Sequence, residues 1–431
     1  MDDATVGRVD VYARQYAQFL GRAKTARAAV TELERLFTAA GGQLLTQPEA
    51  GLAGTSRTTH RAKKPPGVVF KPGTRYYLRG GDGHTAAFVA LGRQSLERGA
   101  RIIIAPLDAP HIQLKQRPVY DRAGLIMFDT VIHGVADLRL WLSRPLALHL
   151  HVARPGAADG GLDLIVGERP DDPVLVIPDL LPHLSGRVQK NQVVDSAERM
   201  DAVAARSYRA LVDYLAGQGL DVNALATAES ALLPAGPPVF VGADRALLAG
   251  YGHSHRALAY AAVRALIDTG AELTPEQTAV VIVTRSADPA GGTSGLGFVR
   301  TAMTQLLGAL SVTDGEPDVL ATRRMYARST AWIASAADDL ATDKGIGIAP
   351  RGADAVPRAT RRTIDSLEAS GAPYQLVGRQ RWGPGRSLAP LDMDVVGVAI
   401  PTRHRRAPAE LVSTLDLYYA QQAARAWLLG S

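Results

Sequence analysis

Residues 101–111 read Arg-Ile-Ile-Ile-Ala-Pro-Leu-Asp-Ala-Pro-His. The apolar run Ile102–Ile104 has the character of a strand buried on both faces, because consecutive β-branched residues leave no polar side for water. The stretch behind it, from Ala105 to His111, then lies at the carboxyl end of a strand, where open α/β sheets place their functional groups. It carries one carboxylate, Asp108, and one imidazole, His111.

Around this strand the chain alternates between two kinds of pattern. Residues 9–40 carry apolar positions at helical spacing (Tyr12, Tyr16, Phe19, Leu20, then Val30, Leu33, Leu36 and Phe37) and end at Gly41-Gly42. Turn residues around Val68–Phe70 and Tyr76–Leu78 predict a strand hairpin over residues 66–80. Residues 85–98 form a further short apolar pattern.

From 113 to 182 short apolar runs follow one another: Leu125–Phe128, Leu138–Leu142, Leu146–Val152, Leu164–Val166 and Val174–Ile177. Turn residues separate them, which predicts a β-rich segment. Within it His149 and His151 lie two apart, on one face of a strand. That spacing suits a metal, yet half-buried strand histidines are commoner and no acidic residue stands close in sequence. After residue 238 strands (Val239–Val241, Ala279–Val283, Val395–Ile400) alternate with helices. The helix candidates are Arg256–Asp268, Phe298–Leu310, Ala321–Asp339, Pro357–Ala369 and Pro408–Leu429. The alternation predicts an α/β fold, a mainly parallel sheet sandwiched by helices.

A chain of 431 residues accommodates two domains with buried cores. Hydrophobic residues make up 46% and charged residues 21%, an ordinary balance for a globular protein. No apolar run is long enough to span a membrane, and the acidic start Met1-Asp2-Asp3 does not resemble a secretory signal, so the expectation is cytoplasmic. With 0 Cys, disulfides and thiolate metal sites are excluded. The net charge of +6 comes mostly from scattered arginines. Two clusters stand out, Arg57–Lys64 among turn residues and Arg403–Arg406. At 6% aromatic, without a basic–aromatic stripe, the chain does not read as a nucleic-acid binder.

Several stretches together carry a resemblance: Ala105–Gln116, Arg144–His151, Ile165–Leu184, Gly250–Leu266 and Val395–Leu429. Their order resembles the aspartyl aminopeptidase family, the oligomeric dinuclear-zinc aminopeptidases with an inserted dimerisation domain. The resemblance implies a zinc-peptidase-like α/β core from residues 1–112 and 238–431, with a β-rich dimerisation insert at 113–237. It also implies dimers and a possible dodecamer.

Carried onto this chain, the family's metal positions are largely changed. The histidine of a His-x-Asp-Ser-Pro motif falls on Pro106, which has no donor atom. The aspartate that bridges the two metals falls on His255, in Tyr251-Gly-His-Ser-His-Arg256. The Glu-Glu pair that supplies a general base and a ligand falls on Ser286-Ala287. A further metal-binding aspartate falls on Ser335. His404, in Thr402-Arg-His404, matches the retained histidine, and the segment between 337 and 357 is shortened. Two dications need several anionic or imidazole ligands, so dinuclear peptidase activity is expected to be absent.

Asp108, His111, His253, His255, Asp288 and His404 remain as candidates for a vestigial pocket. They read either as groups that hydrogen-bond one another or, through His255, His404 and Asp108, as a rebuilt mononuclear site for zinc or another transition metal. His253 and His255 flank Ser254; on a strand they share a side, on a helix they diverge. Arg285, Arg403, Arg405 and Arg406 bias the pocket toward an anion, a small carboxylate or a peptide-like ligand. Gly291–Gly295 before a helix is an ordinary turn or a weak anion cradle. The leading expectation is a pseudoenzyme without cofactor, acting as an oligomeric scaffold, a partner subunit or a binder of small anions. The alternative is a repurposed enzyme acting on an amino-acid or peptide-like substrate with one metal or none, in a biosynthetic pathway.

Overall fold

The computed structural model describes residues 2–45, 71–153, 161–178, 200–268, 274–285, 294–310, 319–349, 357–377 and 391–430. The chain opens with helices α1 (Asp3–Arg22) and α2 (Ala26–Ala39), followed by strands β1 (Gln43–Leu44), β2 (Arg75–Arg79), β3 (Ala86–Ala90) and β4 (Ala100–Pro106). Next come β5 (His111–Arg122), β6 (Leu125–His133), β7 (Leu146–Val152), β8 (Leu162–Val166), β9 (Ala202–Ala205), α3 (Tyr208–Gly217) and β10 (Glu229–Pro234). Then follow β11 (Val239–Val241), β12 (Leu247–Gly250), α4 (His253–Ile267), β13 (Thr278–Thr284), α5 (Ser294–Leu310) and α6 (Val319–Arg328). The last are β14 (Thr330–Ala337), β15 (Ile346–Ala349), α7 (Pro357–Ser370), β16 (Tyr374–Leu376), β17 (Asp394–Pro401), β18 (Glu410–Ser413) and α8 (Thr414–Leu429).

The central sheet has nine strands in the order β1-β2-β3-β13-β4-β14-β17-β15-β16. Its middle, β13-β4-β14-β17, is parallel throughout, and β3 and β15 flank it antiparallel. The Ile102–Ile104 run is thus a central strand. Ile103 packs into the core with α1, α4 and α8, while Ile102 and Ile104 pack with α5 and α6 on the opposite face. This is the two-sided burial that a continuous apolar strand requires. Residues 111–234 supply a six-stranded sheet, β8-β7-β10-β5-β6-β9, antiparallel at every pairing, with its own core around Phe128, Trp141 and Leu148. A small third sheet, β11-β12-β18, holds the expected strand Val239–Val241 apart from the central sheet.

Several elements differ from the sequence expectations. The helical pattern of residues 9–40 is two helices, because Lys24 and the N-cap Thr25, whose side chain accepts from the Ala28 amide at 3.1 Å, start a second one. The helix expected over Ala321–Asp339 ends at Arg328, and Thr330–Ala337 is strand β14 between β4 and β17. Its alanines favour helix, but burial of Trp332 and Ile333 in the sheet overrides that preference. Leu138–Trp141 is a short 3-10 turn capped by Asp137 rather than a strand, and Val174–Ile177 makes only isolated bridges. The helix expected from Pro408 begins at Thr414, capped by the Ser413 hydroxyl. Val68–Phe70 and the Arg57–Lys64 cluster lie outside the described residues.

Candidate functional site

At the end of β4 the backbone continues alongside β13. The Leu107 amide donates to the Thr284 carbonyl and the Asp108 amide to the Arg285 carbonyl, both at 2.8 Å. This fixes Asp108 beside Arg285. The Asp108 carboxylate lies 3.5 Å from Arg285 Nε and 3.6 Å from His111 Nδ1. The His111 ring stacks on His133 at 5.0 Å between centroids. Pro106 pairs in register with Thr284 and offers no donor.

The second group sits on the first turn of α4. The helix begins at His253, so His253 and His255 point to different surroundings. The Nδ1 of His253 meets the Tyr16 hydroxyl at 3.0 Å, and burial, then the charge of Arg256, pushes its pKa down to about 3. His255 is pushed down to about 3 as well, by burial and then by Arg256, Arg405 and Arg406. Its Nδ1 is buried without a hydrogen-bond partner among the described residues. Gly252 gives the helix no side-chain cap; Glu410 of β18 supplies one instead, accepting from the Ser254 amide at 2.6 Å and its hydroxyl at 2.7 Å. Burial raises the pKa of the Glu410 carboxyl. Arg256 is fully buried, donates Nη2 to the Lys24 carbonyl at 2.9 Å and lies over the Tyr251 ring, while its Nε and Nη1 have no partner among the described residues.

The third group is the loop after β17. Arg403 donates its guanidinium to the carbonyls of Asp338 and Leu340 and to the Thr342 hydroxyl, so it braces residues 338–342. His404 is exposed, with a left-handed φ of 57°. The Arg405 amide reaches Asp338 and the Arg406 amide reaches Glu410. Ser335, on β14, has only a 3.5 Å contact to the Ala336 carbonyl. Ser286, Ala287 and Asp288 lie outside the described residues, as do Gly291 and Gly292.

The candidates therefore fall into separate neighbourhoods. Asp108, His111 and Arg285 line a cavity of about 240 Å³ where the α1–α2 corner meets the six-stranded sheet. His253, His255 and His404 do not line it. Besides His149 and His151, already singled out in the sequence, the cavity brings in groups that sequence reasoning missed. His84 and Arg27 hold the two oxygens of Glu229. His149 lies 2.9 Å from Glu168, which also receives Lys24 Nζ at 2.6 Å. His151 faces Asp163 at 2.7 Å. The last pair was within reach of the sequence, because β7 and β8 pair with His151 directly opposite Asp163.

These residues do not fit a pair of zinc ions. Among the described residues no group of three or more His, Cys, Asp or Glu is placed to hold a metal. His255, onto which the resemblance carries the bridging carboxylate, is an imidazole amid three arginines, a field that opposes a dication.

The profile described as Aminopeptidase I zinc metalloprotease (M18) matches residues 61–336. The chain belongs to this family. Among curated M18 relatives, a probable M18 family aminopeptidase 1 of Thermotoga maritima is 27% identical over 278 residues, which covers 61% of this chain and 56% of that protein. The chain spans about half the length of the curated relatives it matches. The M18 fold is also that of solved structures. The crystal structure of the M18 aminopeptidase from Thermotoga maritima gives a TM-score of 0.82 at 22% identity over 98% of this chain and 96% of that one. The S. cerevisiae mApe1 dodecamer gives 0.74 at 15% identity over 97% and 96%. No helix among the described residues of this M18 chain is long and apolar enough to cross a membrane.

Proposed function

We propose that this chain is a non-peptidase member of the M18 family whose former zinc site has become cation-rich and receives a small anion. The observation that supports this reading is His255. At the position onto which the resemblance carries the metal-bridging carboxylate stands a half-buried imidazole whose buried Nδ1 has no partner among the described residues, close to Arg256, Arg405 and Arg406. The donor changes at Pro106, Ser286, Ala287 and Ser335 point the same way. The experiment is elemental analysis of protein purified without chelator, together with hydrolysis of aspartyl- and glutamyl-p-nitroanilide in the presence of added zinc, cobalt or manganese. Substoichiometric metal and no turnover are expected. Two bound zinc ions with chelator-sensitive turnover would overturn the proposal. One transition metal, lost in both His255→Ala and His404→Ala, would favour the repurposed one-metal enzyme instead.

The protein is further proposed to assemble as a homo-oligomer, at least a dimer, through an insert domain at residues 113–237. The six-stranded sheet leaves Leu125, Val131 and Ile165 exposed, an apolar surface of the kind that a second subunit covers. The mApe1 relative forms a dodecamer. A monomeric mass by light scattering on the same preparation would count against this assembly.

A further inference from the structure

The cavity at the α1–α2 corner holds four of the chain's ten histidines: His84, His111, His149 and His151. Each gives one ring nitrogen to a group of the protein. His84 and His149 use Nε2 on Glu229 and Glu168, His151 uses Nδ1 on Asp163, and His111 uses Nδ1 on the Ala109 carbonyl. Carboxylates and carbonyls only accept hydrogen bonds. The other nitrogen of each ring is left to a ligand, as an acceptor in the neutral imidazole and as a donor in the protonated one. The wall is rich in ring nitrogens that suit the hydroxyl groups of a ligand, since a hydroxyl both donates and accepts.

The charged side chains are engaged unequally. Lys24 and Arg27 are tightly held, the first by Glu168 and two carbonyls, the second by Glu229 and the Asp82 carbonyl. Among the described residues Arg285 has only its 3.5 Å contact with Asp108. Among the same residues Arg22 has only a 3.5 Å contact with Glu32, both of whose oxygens Arg35 already binds at 2.7 and 2.8 Å. Two guanidinium groups on this wall thus retain spare donors of the geometry that binds carboxylate or phosphate. Each carboxylate of the wall already has a cation or imidazole against it, so an ammonium finds none to itself.

We infer that this cavity is a binding site for a small hydroxylated anion, with its charged group on Arg285 and Arg22 and its hydroxyls on the imidazoles. The inference goes beyond the anion-binding, non-peptidase reading: this cavity is a second anion site, which His255 does not line. Binding and metal-dependent hydrolysis are measured separately, so one can fail without the other.

The test is isothermal titration calorimetry of the full chain at pH 7 and low salt. The probes are D-gluconate, 3-phospho-D-glycerate, inorganic phosphate, L-serine and erythritol. Gluconate or phosphoglycerate is expected to saturate a single site with a Kd of about 1 mM or tighter, and the preferred one distinguishes carboxylate from phosphate. Arg285→Gln and Arg22→Gln should each weaken it by about tenfold, the loss of one charge-assisted contact. Arg361→Gln, an exposed helix-surface pair with Asp365, should leave it unchanged. Lack of saturation by every probe, or binding indifferent to both cavity arginines, would overturn the inference. So would inorganic phosphate binding as tightly as phosphoglycerate, or serine binding where gluconate does not.

Discussion

Glu229 enters the cavity from β10 with His84 on one carboxylate oxygen and Arg27 on the other. Burial alone would push this carboxyl up, but the hydrogen bond and charge of His84, then Arg27, pull it further down, to about 2. A carboxyl depressed from 4.5 in the unfolded chain stabilises the fold above that pH, and the contribution is lost as pH falls from 4.5 through about 2. The full linkage value is halved here because over a third of the side chain is in solvent, leaving roughly 1.5 kcal/mol. Urea unfolding midpoints should therefore fall more steeply between pH 5 and 3 in the native chain than in Glu229→Gln. Equal slopes would show that the two partners do not hold the charge. Sequence inspection could not identify Glu229, because His84 stands 145 positions away and nothing local links them.

Helix α4 is an element whose start matters more than its length. Its apolar spacing announced a helix from Arg256, and the structure begins it at His253. The missing turn carries no apolar signal; it is held by the distant Glu410 and by Gly252, whose φ of 86° belongs to the left-handed region. A Cβ on Gly252 would stand 1.7 Å from Arg256 Nη1, a buried guanidinium tied to the Lys24 carbonyl. Gly252→Ala should therefore cost about 3 kcal/mol, roughly 1–2 from the backbone and the remainder from moving the guanidinium. Guanidinium chloride unfolding would read this, and a loss below about 1 kcal/mol would mean that Arg256 relocates freely. The same lesson applies to β14. Alanine-rich Thr330–Ala337 reads as helix in isolation and becomes strand because β4 and β17 pair along both of its edges and the helical layers bury its two faces.

At the scale of the whole molecule, the Ile102–Ile104 run and the α/β alternation were enough to give a mainly parallel sheet, though not its central strand β14. The family motifs marked the positions onto which the resemblance carries a metal site. Neither indicated the cavity, because it forms only where the α1–α2 corner meets a sheet about 100 or more residues downstream. Lys24 is the residue that makes this junction. It is 3% exposed, and its three N–H bonds go to Glu168 at 2.6 Å and to the carbonyls of Pro234 and Gly236 at 2.7 and 2.8 Å. The ammonium thus has every hydrogen bonded. Lys24→Met keeps the apolar stem but takes the ammonium from Glu168, leaving that carboxylate the His149 ring and the Gly236 amide. The expected cost is about 3 kcal/mol, since removing one partner strands the other charge in a poorly solvated place. Neutralising that charge as well, in Lys24→Met with Glu168→Gln, should recover part of the loss, giving a double variant more stable than the sum of the two single effects. A single-variant loss below about 1 kcal/mol, or strict additivity, would mean that the helix corner and the six-stranded sheet are joined by their apolar contacts and not by this buried ammonium.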